Sequence, residues 1–579
     1  MTATGHDDNR SEIENEIFCY QAMFPGECTD KMNDPLYIYK SVADPDTMYL
    51  HEAMRQEDKE EFINAMKMEV EDQSSNGNFS VVLASSVPKG STILPAVWQM
   101  KRKRDIKTRA IKKYKARLNI DGSRMKFGVD YSETYAPVAT WRSIRIILTM
   151  AIMNNWHTRQ LDFVLAFPQA SVERELYMKI PKGFEIKGGN SDEYLLKIHR
   201  NIYGQKQAGR VWNQYLVNKL VNEIGFRQSA IDECVFYKGS MIYALYTDDS
   251  ILVGPNKHEI DEVIKRMKEI ELNITDEGTL EDFLGVNIER KPNGDIHLTQ
   301  PHLIDQILKD LRLDKENVKE KSTPAACSKQ LTGHTGSEDF DKSFHYRSVI
   351  GKLNYLEKCT RPDIAYITHQ CARYTANPKK EHADAVRWLG RYLKGNRNMG
   401  LILSPNDSKT LKVYVDADFA GNWCKEEADN RDTARSRHGY VIQYSGCPII
   451  WKSQLQTEIA LSSTESEYTG LSYALREAIP IMNMMKEMNQ QGYKVGNSEG
   501  KIYCRVFEDN SGALEMANTH KYRPRTKHLN VKLHHFRDYV SRKEITVHPI
   551  DTKKQPADIL TKALNEELVR KHRMKIMGW

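Results

Sequence analysis

Apolar residues recur along this chain with periods that change several times, and those changes outline its elements. Up to about residue 45 there is no period. That stretch is polar and acidic and is expected to be a disordered N-terminal segment. From Thr47 the run "TMYLHEAMRQEDKEEFINAMKMEVEDQ" spaces its apolar residues as a helix does and stops at the turn-rich "SSNGN". Between about Val81 and Pro255 strand and helix patterns alternate. "SIRIILTMAIMNN" reads as a buried helix, "TRQLDFVLAF" begins as a strand, and "MIYALY" and "SILVG" read as two strands joined tightly at Thr247 and Asp248. Helical patterns follow in "KHEIDEVIKRMKEI", "PHLIDQILKDL" and "EHADAVRWLGRYLKG", as far as about Gly400. A second strand-rich unit opens with "LKVYVDADFAG". It continues through "HGYVIQYSGCPIIW", a helix around "ESEYTGLSYALREAI", a strand at "IYCRVFEDNSG", and a last strand and helix at "ITVHPIDTKKQPADILTKAL". The pattern predicts a multidomain fold of α+β and α/β units whose carboxylates sit at strand ends.

Composition agrees with that division. At 579 residues and 40% hydrophobic content the chain can bury several cores, and its length argues for roughly three or four domains. The formal net charge of +6 is mild, but its distribution is not. Between Trp98 and Arg117 ten Lys or Arg residues face one acid, whereas the first seventy or so residues are rich in Asp and Glu. A polyanion would be drawn to the first stretch and not to the second. The nine cysteines form no C-x-x-C pair and no zinc-type cluster, as expected in a reducing compartment. No apolar run is long enough for a bilayer and the N-terminus has no signal-peptide pattern, so neither membrane nor secretion is expected.

"MIYALYTDDSILVGP" places Asp248 and Asp249 inside an apolar and aromatic run. Burying even one carboxylate costs several kcal/mol unless a cation or hydrogen bonds compensate. Successive strand residues point to opposite faces, so the pair can converge only where the hairpin turns. A hard divalent ion such as Mg2+ suits a small acidic cluster at a strand edge, and Asp162 in "QLDFVLAF" is the natural third acid. Two ions held about 3.5–4 Å apart could activate a 3′ hydroxyl and stabilise a leaving pyrophosphate. An isolated "DD" is more often a plain turn; here the surroundings decide.

Those surroundings include "YKARLNIDGSRMKFGVDYSETYAPVATWRSIR", "QLDFVLAFPQ", "ELYMKIPKGFE", "IYGQKQAGRVW", "YTDDSILVG", "FLGVNIERK", "YRSVIGKLNYLEKCTRPDIAY", "STESEYTGLSYALREAI" and "QPADILTKAL". Taken in this order, from about Asp44 to Leu564, they resemble the reverse transcriptase and RNase H region of copia-type retrotransposon Pol polyproteins. The resemblance implies a right-hand polymerase of fingers, palm and thumb, then a connection and an RNase H-like mixed sheet with helices. It implies that Tyr246, Thr247, Asp248 and Asp249 form the polymerase hairpin, with Thr247 where valine is common, and that Asp162 is the first metal ligand. Phe167 would pack under the sugar of the incoming nucleotide, Gln207 would lie against the nucleotide, Tyr246 would line the same site, and Lys115 and Arg117 in a mobile cationic loop would hold the triphosphate. For Lys101 to Arg104 a solvated surface role is retained.

In the second unit Asp416, Glu467, Asp509 and Asp558 follow in the order strand, helix, strand end and late helix. That order resembles the RNase H fold, in which four carboxylates hold two Mg2+ ions and cleave the RNA strand of a hybrid. Asp418, Glu465 and Glu508 are expected to be surface or supporting acids. His548 stands where many RNase H enzymes carry a histidine, and coincidence is at least as good a reading; Asn530 replaces a more usual aspartate.

The expected domains are 46–255 fingers and palm, 256–330 thumb, 331–410 connection, 411–565 RNase H-like and 566–579 a basic C-terminal tail. The implied activity is RNA-directed DNA polymerase with ribonuclease H. Its cofactor would be Mg2+, two ions per site, with Mn2+ as a substitute. Its partners would be RNA template, DNA primer, RNA/DNA hybrid and dNTPs, with the element's integrase and capsid protein as further candidates. Cytoplasmic virus-like particles are the implied location, with nuclear entry left open. A catalytically inactive or domesticated relic that only binds nucleic acid is the alternative, against which retention of all seven carboxylates argues. An integrase would leave "YTDD" unexplained. With no protease signature and no integrase site upstream, the chain reads as a processed product or a truncated element copy.

Overall fold

Short connections between strands favour antiparallel pairing, and the first half of the chain is built that way. The structure, a computed structural model, describes residues 46–105, 110–183, 191–326, 331–333, 338–519 and 534–579. The expected disordered segment 1–45 and Asn530 lie outside the described residues. A six-stranded antiparallel sheet runs in the order Ile274–Gly278, His157–Phe163, Asp249–Gly254, Met241–Tyr246, Val235–Lys238, Arg227–Gln228. The helix Trp141–Met153 is buried on nearly every side from Ser143 to Ala151, as a helix covered on more than one side is. It packs between the Asp249–Gly254 strand and the strand Cys447–Leu455 of the second unit.

A separate three-stranded sheet, Thr47–Tyr49, Ala96–Arg104 and Ile111–Ile120, packs against the helix Lys59–Ser75. Its apolar core, with Phe62, Trp98, Met100 and Leu118, is distinct from the large core of the rest of the chain. A further sheet joins Asp282–Phe283, Val286–Arg290, Ile296–Thr299 and Leu401–Leu403. The segment expected as thumb and the end of the expected connection therefore share one sheet.

In the second unit, Leu411–Ala417 pairs antiparallel with Arg437–Tyr444 and parallel with Cys504–Glu508. The outer strands are Cys447–Leu455 and Ile545–Pro549. This is a five-stranded mixed sheet. "HGYVIQYSGCPIIW" is a hairpin, turned by Ser445 and Gly446 at φ 50° and 86°, a two-residue turn with both positions left-handed. The 28-residue helix Ser463–Gln490, capped by the Ser462 hydroxyl, crosses the sheet. Two expectations change at the C-terminus. The late helix bearing Asp558 is a short 3-10 turn, Pro556–Leu560, because the buried Gln555 ties its start to the sheet. The expected basic tail is an ordered helix, Glu566–Met577, with Val569, His572, Ile576 and Met577 buried.

Candidate active sites

Tyr246 and Asp249 are paired across the hairpin, and Asp249 is paired on its other side with Asp162. Opposed residues of antiparallel strands share a face, so Tyr246, Asp249 and Asp162 lie in one row at the edge where the sheet turns. Thr247 and Asp248 make the two-residue turn, with Thr247 at φ 56°. The turn is pinned from below: the Trp212 indole donates to the Thr247 carbonyl at 2.8 Å, and the Phe163 amide donates to the Asp248 carbonyl at 3.0 Å. Burial, and then the negative field of Asp248, push the Asp162 carboxyl above the usual carboxylate range, while Lys115 and Lys103 pull it down. Asp162, Asp248 and Asp249 thus gather at one edge, but their oxygens do not all fall within 4.8 Å of one another.

Cations face these acids from a strand rather than from a mobile loop. In the Ala96–Arg104 and Ile111–Ile120 hairpin, Lys101 pairs with Lys115, Lys103 with Lys113, and Gln99 with Arg117, so five cations share one face. Burial and the neighbouring Arg117 and Lys103 hold the Lys115 ammonium below its ordinary range. Arg102 and Arg104 alternate to the other face and pair with Asp58 and Asp46 at 2.7 Å each. The stretch from Lys101 to Arg104 therefore divides by strand parity into site-facing lysines and structural arginines.

Phe167 is 3% exposed, and its ring lies 4.8 Å from Tyr203, tilted by 43°. The Arg117 guanidinium lies over the other ring of that pair, 4.6 Å from the Tyr203 centroid. Burial raises the Tyr203 phenol to about 12, so it stays protonated. Tyr203 thus links two expected nucleotide-binding residues although it carries no motif of its own beyond preceding Gly204. Gln207 is 1% exposed at the start of the helix Ala208–Asn218. Its amide donates to the Asp130 carbonyl at 3.5 Å.

The second site is assembled by the sheet and three covering segments. Asp416 lies near the end of the central strand, and Asp509 follows the parallel neighbour Cys504–Glu508. Glu467, in the first turns of the long helix, accepts from the Ala417 amide. The helix can come this close because Gly470 faces the sheet, where an added Cβ would meet His438 at 3.3 Å. Gln555, fully buried, donates to the carbonyls of Val415 at 2.8 Å and Phe507 at 3.3 Å, tying the Asp558 turn to both central strands.

Ligand oxygens of Asp416, Glu467 and Asp509 all lie within 4.8 Å of one another, the one such trio among the described residues. Asp558 stands beside it, ion-paired to Lys562 at 2.9 Å. Burial raises the carboxyls of Asp416, Glu467, Glu508 and Asp558, with mutual repulsion adding to it. Glu508, expected as a surface or supporting acid, is 1% exposed and belongs to this cluster. One oxygen each of Glu467 and Glu508 is buried without a hydrogen-bond partner among the described residues. An all-oxygen, carboxylate-rich set with orphaned buried oxygens fits a hard divalent cation.

The neighbouring polar residues divide. Asp418 accepts from the Arg437 backbone amide and supports the loop after the strand. Glu465, in the first turn of the long helix, ties down the chain before it, its carboxylate accepting from the Leu461 amide at 2.9 Å. His548 faces the Thr546 hydroxyl at 2.8 Å. Lys562 was not singled out in the sequence, although its i+4 spacing from Asp558 in "ADILTK" is a readable signal.

Residues 78–326 match the family described as Reverse transcriptase (RNA-dependent DNA polymerase). Over 526 residues the chain is 33% identical to the Retrovirus-related Pol polyprotein from transposon TNT 1-94 of Nicotiana tabacum, covering 89% of this chain and 38% of that polyprotein. The chain is a relative of the copia-type Pol polyproteins. The corresponding polyprotein from transposon RE1 of Arabidopsis thaliana is 32% identical over 89% of this chain and 34% of its own length. The chain therefore spans about a third of the length of those curated polyproteins. Among solved structures, the foamy viral protease-reverse transcriptase in complex with dsDNA overlaps 95% of each chain, with 13% identity and a TM-score of 0.45.

Proposed function

We propose that this chain copies RNA into DNA at the Asp162, Asp248 and Asp249 edge and removes the RNA strand of the resulting hybrid at the Asp416, Glu467, Asp509 and Asp558 cluster. The observation that carries the reading is the row Tyr246, Asp249 and Asp162 under the cationic face of Lys103, Lys115 and Arg117. A row of acids beside a row of cations suits a substrate that brings both phosphates and divalent ions. Lys115 and Arg117 would bind the triphosphate of a dNTP, and Phe167 on Tyr203 would give its sugar a rigid floor. Mg2+ or Mn2+, held by Asp162, Asp248 and Asp249 at one site and by the four acids at the other, would supply charge stabilisation for phosphoryl transfer. The cationic strand face would meet the backbone of primer and template. Residues 46–255 would form fingers and palm, and 411–565 the nuclease.

Primer extension on an RNA template and cleavage of an RNA/DNA hybrid, assayed side by side with Mg2+, test this. Asp248→Asn should abolish extension while hybrid cleavage continues, and Asp416→Asn should do the converse, each loss being about several orders of magnitude. RNA degradation that survives Asp416→Asn would refute the second assignment.

A further inference from the structure

A lysine enters the second cluster from the rim. Lys562 stands four residues after Asp558, its Nζ 2.9 Å from Asp558 Oδ1 and 3.8 Å from Asp416 Oδ2. The two carboxylates are 7% and 5% exposed at the side chain, whereas the lysine side chain is 44% exposed. One flexible cation thus reaches from solvent between two of the four acids. Thr561, the preceding residue, donates its hydroxyl to the same Asp416 oxygen that faces Lys562. Glu467 and Glu508 each keep a buried oxygen without a hydrogen-bond partner among the described residues, so the cluster is short of donors.

Resting on the reading of Asp416, Glu467, Asp509 and Asp558 as a divalent-ion site, we propose that Lys562 is its tethered counter-ion. It neutralises Asp416 and Asp558 when no metal is bound and competes with the metal for them. A compact ammonium on a flexible stem suits reversible occupancy, since it can leave for solvent without breaking a packed core. Two carboxylates taken out of water stay ionised only beside a positive charge. Lys562 supplies it in the metal-free protein and sets how tightly a metal must bind to replace it. An ion pair that only fastened the Asp558 turn to the sheet would affect stability without affecting metal affinity.

Mn2+ binding to the full chain carrying Asp248→Asn, which weakens the first site, separates these roles. Isothermal titration calorimetry gives the affinity, and the Mn2+-induced rise in melting temperature gives a second readout. Removing the competing charge in Lys562→Met should tighten Mn2+ binding by about tenfold or more. It should also lower the metal-free melting temperature and enlarge the rise that Mn2+ produces. Lys562→Arg keeps the charge and should stay near the parent affinity. Should Lys562→Met fail to fold, Lys562→Gln removes the charge while keeping a polar end and enters the same comparison. An unchanged affinity in the neutral variant, in a protein whose binding Asp416→Asn abolishes, would overturn the counter-ion role and leave the metal site standing. Binding that Asp416→Asn does not alter would overturn the site itself, and the role of Lys562 with it.

Discussion

At the scale of single residues, the least expected side chain is His438. It is 1% exposed in the strand Arg437–Tyr444, stacked on Tyr473 at 4.6 Å and 10°, and among the described residues neither ring nitrogen has a hydrogen-bond partner. Burial, with Lys452 and Arg437 nearby, lowers its imidazole from 6.5 to about 3. Between those values the unfolded chain binds a proton that the folded chain does not, so stability falls as pH drops through that window. At pH 5 the loss from this one ring is about 2 kcal/mol. His438→Phe should shrink the stability difference between pH 7 and pH 5, read by guanidinium unfolding, by about that amount. His572, lowered to about 4 for the same reason, would retain its share. A pH dependence identical in the two proteins would mean that His438 is not neutral in the fold. Such residues show why the sites were only partly legible. The acids announced themselves because a carboxylate in an apolar run demands a cation. Tyr203 and His438 are ordinary letters whose roles arise from partners distant in sequence or from burial, which no local pattern records, and Lys562 leaves only its i+4 spacing from Asp558.

At the scale of elements, alternation and helical period sufficed wherever one face is buried. The strands His157–Phe163 and Leu411–Ala417 and the helices Trp141–Met153 and Lys257–Glu269 stand where the spacing put them. Elements fixed by tertiary ties did not show in the pattern. The Asp558 turn is 3-10 because Gln555 anchors it, and Lys115 and Arg117 lie on a strand because Ile111–Ile120 pairs along its length with Ala96–Arg104. The hairpin of Met241–Tyr246 and Asp249–Gly254 carries its own strain. Thr247 is β-branched yet holds φ 56°, a conformation that costs such a residue about 1–3 kcal/mol. Asparagine tolerates that region far better. Thr247→Asn should therefore raise stability by about 1 kcal/mol in chemical denaturation, with the Trp212 bond to the residue 247 carbonyl retained. A loss of stability would show instead that the threonine side chain makes a contact worth more than the strain.

At the scale of the whole molecule, the two candidate sites are mechanically joined. The buried core of the six-stranded sheet continues without a break into the five-stranded mixed-sheet unit, while the three-stranded sheet keeps a core of its own. Arg145 sits at the junction. From the helix Trp141–Met153 its guanidinium donates to the carbonyls of Lys358 at 2.6 Å, Cys359 at 2.8 Å and Ile449 at 2.8 Å, and it stacks 4.2 Å from the Trp451 ring centroid. Three segments far apart in sequence thus meet on one side chain. At the far end of the long helix, Glu487 accepts from the Ser229 hydroxyl at 2.5 Å and the Ala230 amide at 2.8 Å, a second tie between the units. Arg145→Met would keep the volume of the stem but leave three carbonyls without their donor, at a cost of about 3–5 kcal/mol in all. Calorimetry of the parent should show the core of the three-stranded sheet melting apart from one large transition that contains both candidate sites. In Arg145→Met that large transition should move down and split, because the joint between the units carries the lost bonds. If the transition shifted without splitting, the apolar contacts and Glu487 would be holding the two units together, and Arg145 would contribute stability without governing their cooperation.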